Sequence, residues 1–254
     1  MKLWWLLISR YSYFPVPKRW QAPLAELPRS LFLLPIWGVL AGLINMAITR
    51  WGWALSRSWL AALLVFLTVS SSGAIWLRDV LSVASGLKPP PVSPNLLATE
   101  KLSPLPPLPL NKPLPLNQGA LLTACLYLLL QYFCFLELLR LGVRAFIFVL
   151  AAVISRFIYL WGVYDFAALQ PAFLHRGFSR RDFGRATLLS FVTVAVCAWA
   201  APLLLPALLP ALLCATLFYR RRLNALAALD EAAYGAAAGW SEILLYLYPI
   251  LFMR

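Results

Sequence analysis

Charge is scarce in this chain: only 12% of its 254 residues are Asp, Glu, Lys or Arg, while 62% are hydrophobic and mean hydropathy is +0.79. That much apolar surface exceeds what a soluble domain of this length can bury, so the solvent is lipid and no separate soluble domain fits. Acids are scarcer still, nine against 22 Lys and Arg, giving a net charge of +13. Histidine occurs once. No Gly-rich phosphate loop, HExxH or GxSxG sequence occurs, and no internal repeat, so the common soluble-enzyme chemistries have no support. The four cysteines, Cys125, Cys134, Cys197 and Cys214, sit in apolar stretches without CxxC spacing. They read as small core residues, neither disulfides nor a zinc site.

What the chain has is long apolar runs. Crossing a hydrocarbon core takes about 20 apolar residues, and runs near 31–49, 60–77, 120–139, 145–164, 186–201, 203–218 and 232–252 meet or approach that length. The expected fold is all-α, a polytopic transmembrane bundle of about seven spans in one membrane domain. Pro202, Pro206 and Pro210 interrupt the fifth and sixth runs, leaving a tight hairpin or one kinked helix. The basic residues are not a nucleic-acid stripe, because they are scattered between apolar runs. With seven spans, sixteen Lys and Arg fall on the N-terminal side of the membrane and five on the other. The positive-inside rule then puts the N-terminus in the cytoplasm of a multi-pass inner-membrane protein, and Arg220, Arg221 and Arg222 stay inside only if 186–218 crosses twice. The first eight residues are too short an apolar run for a signal peptide and are expected to be retained.

Residues 87–118 carry Lys88, Pro89, Pro90 and Pro91 and a Pro-Leu repeat from Ser103 to Leu116. This predicts an extended cytoplasmic loop, partly polyproline II. It is a stiff spacer or a ligand for an aromatic-lined groove; no basic residue flanks a tidy PxxP core. The tryptophans, Trp4, Trp5, Trp20, Trp51, Trp53 and Trp59 among them, flank the spans as interfacial anchors do. His175, beside Arg176 in a basic loop, reads as a solvated residue more than a catalytic base.

Several segments together resemble the cobalamin synthases, the adenosylcobinamide-GDP ribazoletransferases. Ile8-Ser9-Arg10 followed by Pro15-Val16-Pro17 is similar to that family's N-terminal signature, with a short insertion. Arg29, Ser30, Pro35, Gly38 and Gly42 sit as in its first membrane helix. The family's hallmark, Gly-Ala-Leu-His-Leu-Asp-Gly-Leu-Ala-Asp-Thr-Ala-Asp-Gly, aligns without a gap on residues 73–86. Its His and three Asp are replaced by Trp76, Arg78, Ser82 and Ser85, with Asp79 one position past the first Asp. Gly119 opens a run similar to the third helix, though the proline-rich loop replaces the element that precedes it. Arg156 matches an in-span Arg. The C-terminal Thr-Gly-Asp-Thr-Leu-Gly-Ala pattern aligns on Asp230 to Ala236 and ends in Glu242; its Asp becomes Ala232, with acids at Asp230 and Glu231 just before it.

The resemblance implies transfer of alpha-ribazole, or its phosphate, onto adenosylcobinamide-GDP with release of GMP. Such a transfer uses Mg²⁺ held by carboxylates. Here the weak catalytic and metal candidates are Asp79, Asp230, Glu231 and Glu242, while Arg78 and Arg156 are candidates for substrate phosphate. Arg78 in place of Asp changes the local charge by two units and repels a dication, yet suits direct contact with phosphate. Arg156 reads equally as a pyrophosphate grip or as the partner of Glu137 or Glu242 between helices, and for Glu242 pairing with Arg156 is favoured. Asp230 and Glu231 also stand where acids suit a helix N-terminus. Two classes therefore stand: a Mg²⁺-dependent transferase, or an inactive homologue binding a corrinoid, a second copy or another membrane protein. A transporter has less support, because matched broken half-helices are not evident.

Overall fold

The computed structural model describes residues 1–12, 16–20, 22–23, 26–72, 75–84, 118–142, 145–165, 178–224 and 231–252. The proline-rich loop and His175 lie outside the described residues, as do Ser85 and Asp230. Among the described residues every regular element is helical, as the apolar periodicity predicts. Six helical stretches are long and apolar enough to cross a membrane, and a bent pair raises the number to seven if it forms one span. The protein is a polytopic helical bundle.

A short amphipathic helix, α1 (Lys2–Tyr11), precedes the first span. That span runs from Leu27 to Trp51, through a single turn α2 (Leu27–Ser30), a 3-10 turn and α3 (Leu34–Trp51). Pro28 and Pro35 stand at helix starts, where a missing N–H is harmless. Then come α4 (Arg57–Ser71), capped by Ser56 accepting from the Trp59 amide, and α5 (Ile75–Ala84). The long helices α6 (Gln118–Leu141), α7 (Phe146–Asp165) and α8 (Arg180–Ala200) follow, then α9 (Leu208–Asn224) after a 3-10 turn, and α10 (Glu231–Phe252). Gly142, at φ +62°, closes α6 in the left-handed conformation that favours glycine at a helix end.

The run expected as a single second span, 60–77, falls on the bent pair of α4 and α5, which meet at 83°. Serine chemistry supplies the reason. Ser71 Oγ donates to the Thr68 carbonyl at 3.0 Å and Ser72 Oγ to that of Val69 at 2.9 Å. Trp37 Nε1 takes the Ser71 carbonyl at 2.7 Å. Side chains thus satisfy the last carbonyls of α4 and remove the need for a further helical turn. The 186–218 region resolves into two candidate spans, Arg180–Ala200 and Pro202–Arg220, separated at Ala201, whose φ of −150° and ψ of 71° leave the helix.

The core is built around α7, against which α3, α10 and α8 pack. Two pairs of glycines one turn apart set the closest approaches. A Cβ on Gly38 would meet the Ala152 carbonyl oxygen and Arg156 Cδ at 2.8 Å, and one on Gly42 would collide with the Val149 backbone. On α10, Gly235 and Gly239 do the same for α5. Small residues at this spacing are how helices in lipid come together, since hydrocarbon gives no hydrophobic drive between them.

Candidate functional site

The two segments that carry the C-terminal and hallmark resemblances meet. Helix α5 lies along α10 with opposite polarity: Trp76 faces Gly239, whose added Cβ would be 3.3 Å from Trp76 Cβ, and Asp79 lies on Gly235. An added Cβ at Gly235 would collide with Asp79 Oδ2, so the carboxylate rests directly on the α10 backbone. Asp79 is 1% exposed and its Oδ1 is 3.7 Å from Arg78 Nη2, while the Arg78 side chain is 40% exposed. Arg78 therefore reaches from a buried acid toward the surface at this end of the bundle. Ser82, one turn beyond Asp79, is half-buried.

Trp76 packs against Tyr159 of α7, with ring centres 5.2 Å apart and planes tilted by 48°, and the Tyr159 hydroxyl is 3.2 Å from that of Tyr11 in α1. Three helices distant in sequence, α1, α5 and α7, thus share one aromatic seam. Glu231 opens α10 four positions before Gly235. Seven positions beyond Gly235, Glu242 lies roughly 10 Å deeper along the axis. The carboxylates at Asp79 and Glu242 therefore do not converge on one ion.

A second polar group lies in the membrane interior. Arg156 and Glu242 are 2% and 1% exposed. The favoured Arg156–Glu242 ion pair is not formed within 4 Å; the three described ion pairs join Arg78 to Asp79, Arg140 to Glu137, and Arg185 to Asp182. Instead Arg156 Nη1 donates to the Ala152 carbonyl of its own helix at 2.8 Å, and Tyr246 donates to Glu242 Oε1 at 3.1 Å. Arg156 and Glu242 remain close enough to interact electrostatically, with Ser155 and Tyr127 beside them. Glu242 Oε2 has no hydrogen-bond partner among the described residues. Glu137, the other partner weighed for Arg156, is held by Arg140 at 3.4 Å on α6.

No family model, curated protein or solved structure matches the chain.

The described side chains at the α5–α10 seam do not by themselves fit Mg²⁺, which takes near-octahedral oxygen ligands with a carboxylate or two. Asp79 already has a guanidinium beside it and helix backbone beneath it, and among the described residues no three His, Cys, Asp or Glu side chains gather. What the seam can do chemically is present a partly exposed cation, Arg78, beside the buried Asp79. The Gly235-xxx-Gly239 pair was the missed signal. Its spacing announces a close helix contact, and the hallmark segment is the helix that fills it.

Proposed function

We propose that this chain is a multi-pass inner-membrane protein of the cobalamin synthase kind, in which the α5–α10 seam corresponds to that family's phosphoryl-transfer site and binds its phosphate-bearing corrinoid substrate. The observation that carries this reading is the seating of Trp76 and Asp79 on Gly239 and Gly235. Two segments about 150 residues apart, each similar to one half of the family's site, pack against each other. The charge bias supports a cytoplasmic N-terminus, which puts the seam on the side where nucleotide substrates are available.

Of the two tasks in that family, holding substrate and activating phosphate through a metal, the side chains present favour the first. Arg78 offers a half-exposed guanidinium suited to bidentate contact with phosphate. The positions at which the family holds its metal carry Trp76, Arg78, Ser82 and Ser85. The reading is therefore a ligand-binding homologue that has parted with the transfer step. The family's full reaction is the second reading, and the acids that the sequence keeps at Asp230 and Glu231 are what favours it.

One experiment separates them. The purified protein in liposomes is given adenosylcobinamide-GDP, with alpha-ribazole and Mg²⁺ added in a second arm. Binding that weakens about tenfold in Arg78→Gln, the loss of one charge-assisted contact, with no cobalamin formed beside an active family member, is the expected result. Metal-dependent product would establish the second reading and make Asp79, Asp230 and Glu231 the next positions to change. No binding and no product in a folded preparation would remove both.

A further inference from the structure

A second candidate site lies apart from the α5–α10 seam and does not rest on the reading above. The start of α1 and the 3-10 turn at residues 18–20 enclose an open groove of about 340 Å³, lined by Met1, Lys2, Trp5, Arg19 and Trp20. The turn is tied back to the helix by the Ala22 amide, which donates to the Lys2 carbonyl at 3.3 Å. Trp5 and Trp20 lie 5.5 Å apart, and the Arg19 guanidinium sits 5.9 Å above the Trp20 ring. Lys2 and Arg19 are exposed, and none of the five lining residues is acidic. The groove thus has a cationic rim and an indole floor.

Its level in the bundle is given by the 3-10 turn itself, which ends at Trp20, seven residues before the first span starts at Leu27. The groove stands beside the beginning of a membrane span, where indoles mark the boundary between hydrocarbon and headgroups. We infer that this groove binds the headgroup of an anionic phospholipid, Lys2 and Arg19 taking the phosphate and the two indoles lying against the glycerol and upper acyl chain. Charge complementarity and depth favour a lipid over a free anion: a soluble phosphate would use the rim and leave the indoles idle.

The test uses the full chain, stripped of lipid in detergent and titrated with phosphatidylglycerol or phosphatidylcholine of the same acyl chains, with bound lipid counted by native mass spectrometry. Phosphatidylglycerol is expected to bind at least tenfold more tightly. Lys2→Gln and Arg19→Gln should each weaken it about fivefold, and together about thirtyfold. Both side chains are exposed, so the variants should keep the wild-type circular dichroism; the single variants are read separately so that each tests the groove by itself. Equal binding of the two lipids overturns the proposal, and so does wild-type affinity in the double variant. Glycerol 3-phosphate displacing the lipid at equal concentration would show a small-anion site and overturn it as well.

Discussion

Helices α7 and α8 have nearly the same length, 20 and 21 residues, and both are apolar enough to cross a membrane. Yet 83% of the apolar window of α7 is buried inside the protein, against 17% for α8. In α8 only Ala186, Ser190 and Cys197 are buried, a narrow stripe, while Leu188, Phe191, Val192, Val196 and Trp199 are exposed. Such a face is comfortable in lipid. Helix α7 carries Ala151, Ala152, Ser155 and Gly162 among its buried residues, and it alone of the two keeps a buried cation, Arg156. Small side chains let neighbours approach closely, and the enclosure they create is what allows a charge to stay in the membrane interior. Hydropathy places both helices in the membrane; side-chain size decides which becomes the centre.

The sharpest way to break this comparison is at the α3–α7 contact. Gly42→Ala puts a methyl group into the Val149 backbone, where neither helix has a flexible atom to give way. A loss of about 3 kcal/mol in stability is expected, seen as earlier thermal unfolding in detergent. Wild-type stability would mean that α3 and α7 are not so closely apposed.

A smaller effect should come from the buried charges. Arg156→Met leaves Glu242 without a nearby cation and should cost about 2 kcal/mol. Adding Glu242→Gln should restore about 1 kcal/mol of it, since groups that interact do not behave additively. Strict additivity in this double-mutant cycle would show that the two side chains, each bonded within its own helix, are independent. The smallest effect belongs to α8: Phe191→Ala on its exposed face should change stability by less than about 0.5 kcal/mol. A large loss there would turn the lipid-facing surface into an interface with another chain.

Much of the fold was legible because it follows from local composition. The apolar runs predict the helices at 120–139, 145–164 and 232–252 to within a few residues of those observed. The Pro202 region, open between hairpin and kinked helix, holds two candidate spans. The 60–77 run falls on the bent α4–α5 pair, and hydropathy did not register the bend because it does not register hydrogen bonds: Ser71 and Ser72 hardly lower the average, yet their hydroxyls bond back to carbonyls at the end of α4. For the site, the alignment of residues 73–86 and 230–242 picked out Trp76, Arg78, Asp79 and Glu242, and all four lie on α5 or α10. The partner of each was not legible. Arg156 turned to its own backbone and Glu242 to Tyr246, because a hydrogen bond within reach in the same helix needs no alignment between helices.

By itself, then, the sequence determined that this protein is apolar enough to live in lipid and that it is helical, because partition and helix formation depend on residues close together in the chain. Only the tertiary structure decided that α7 is the hub, that Gly235 and Gly239 receive Asp79 and Trp76, and that Arg156 and Glu242 are enclosed without pairing directly. Those outcomes depend on which surfaces approach within van der Waals distance, and an apolar environment that favours all the helices alike leaves that choice to the shape of their faces.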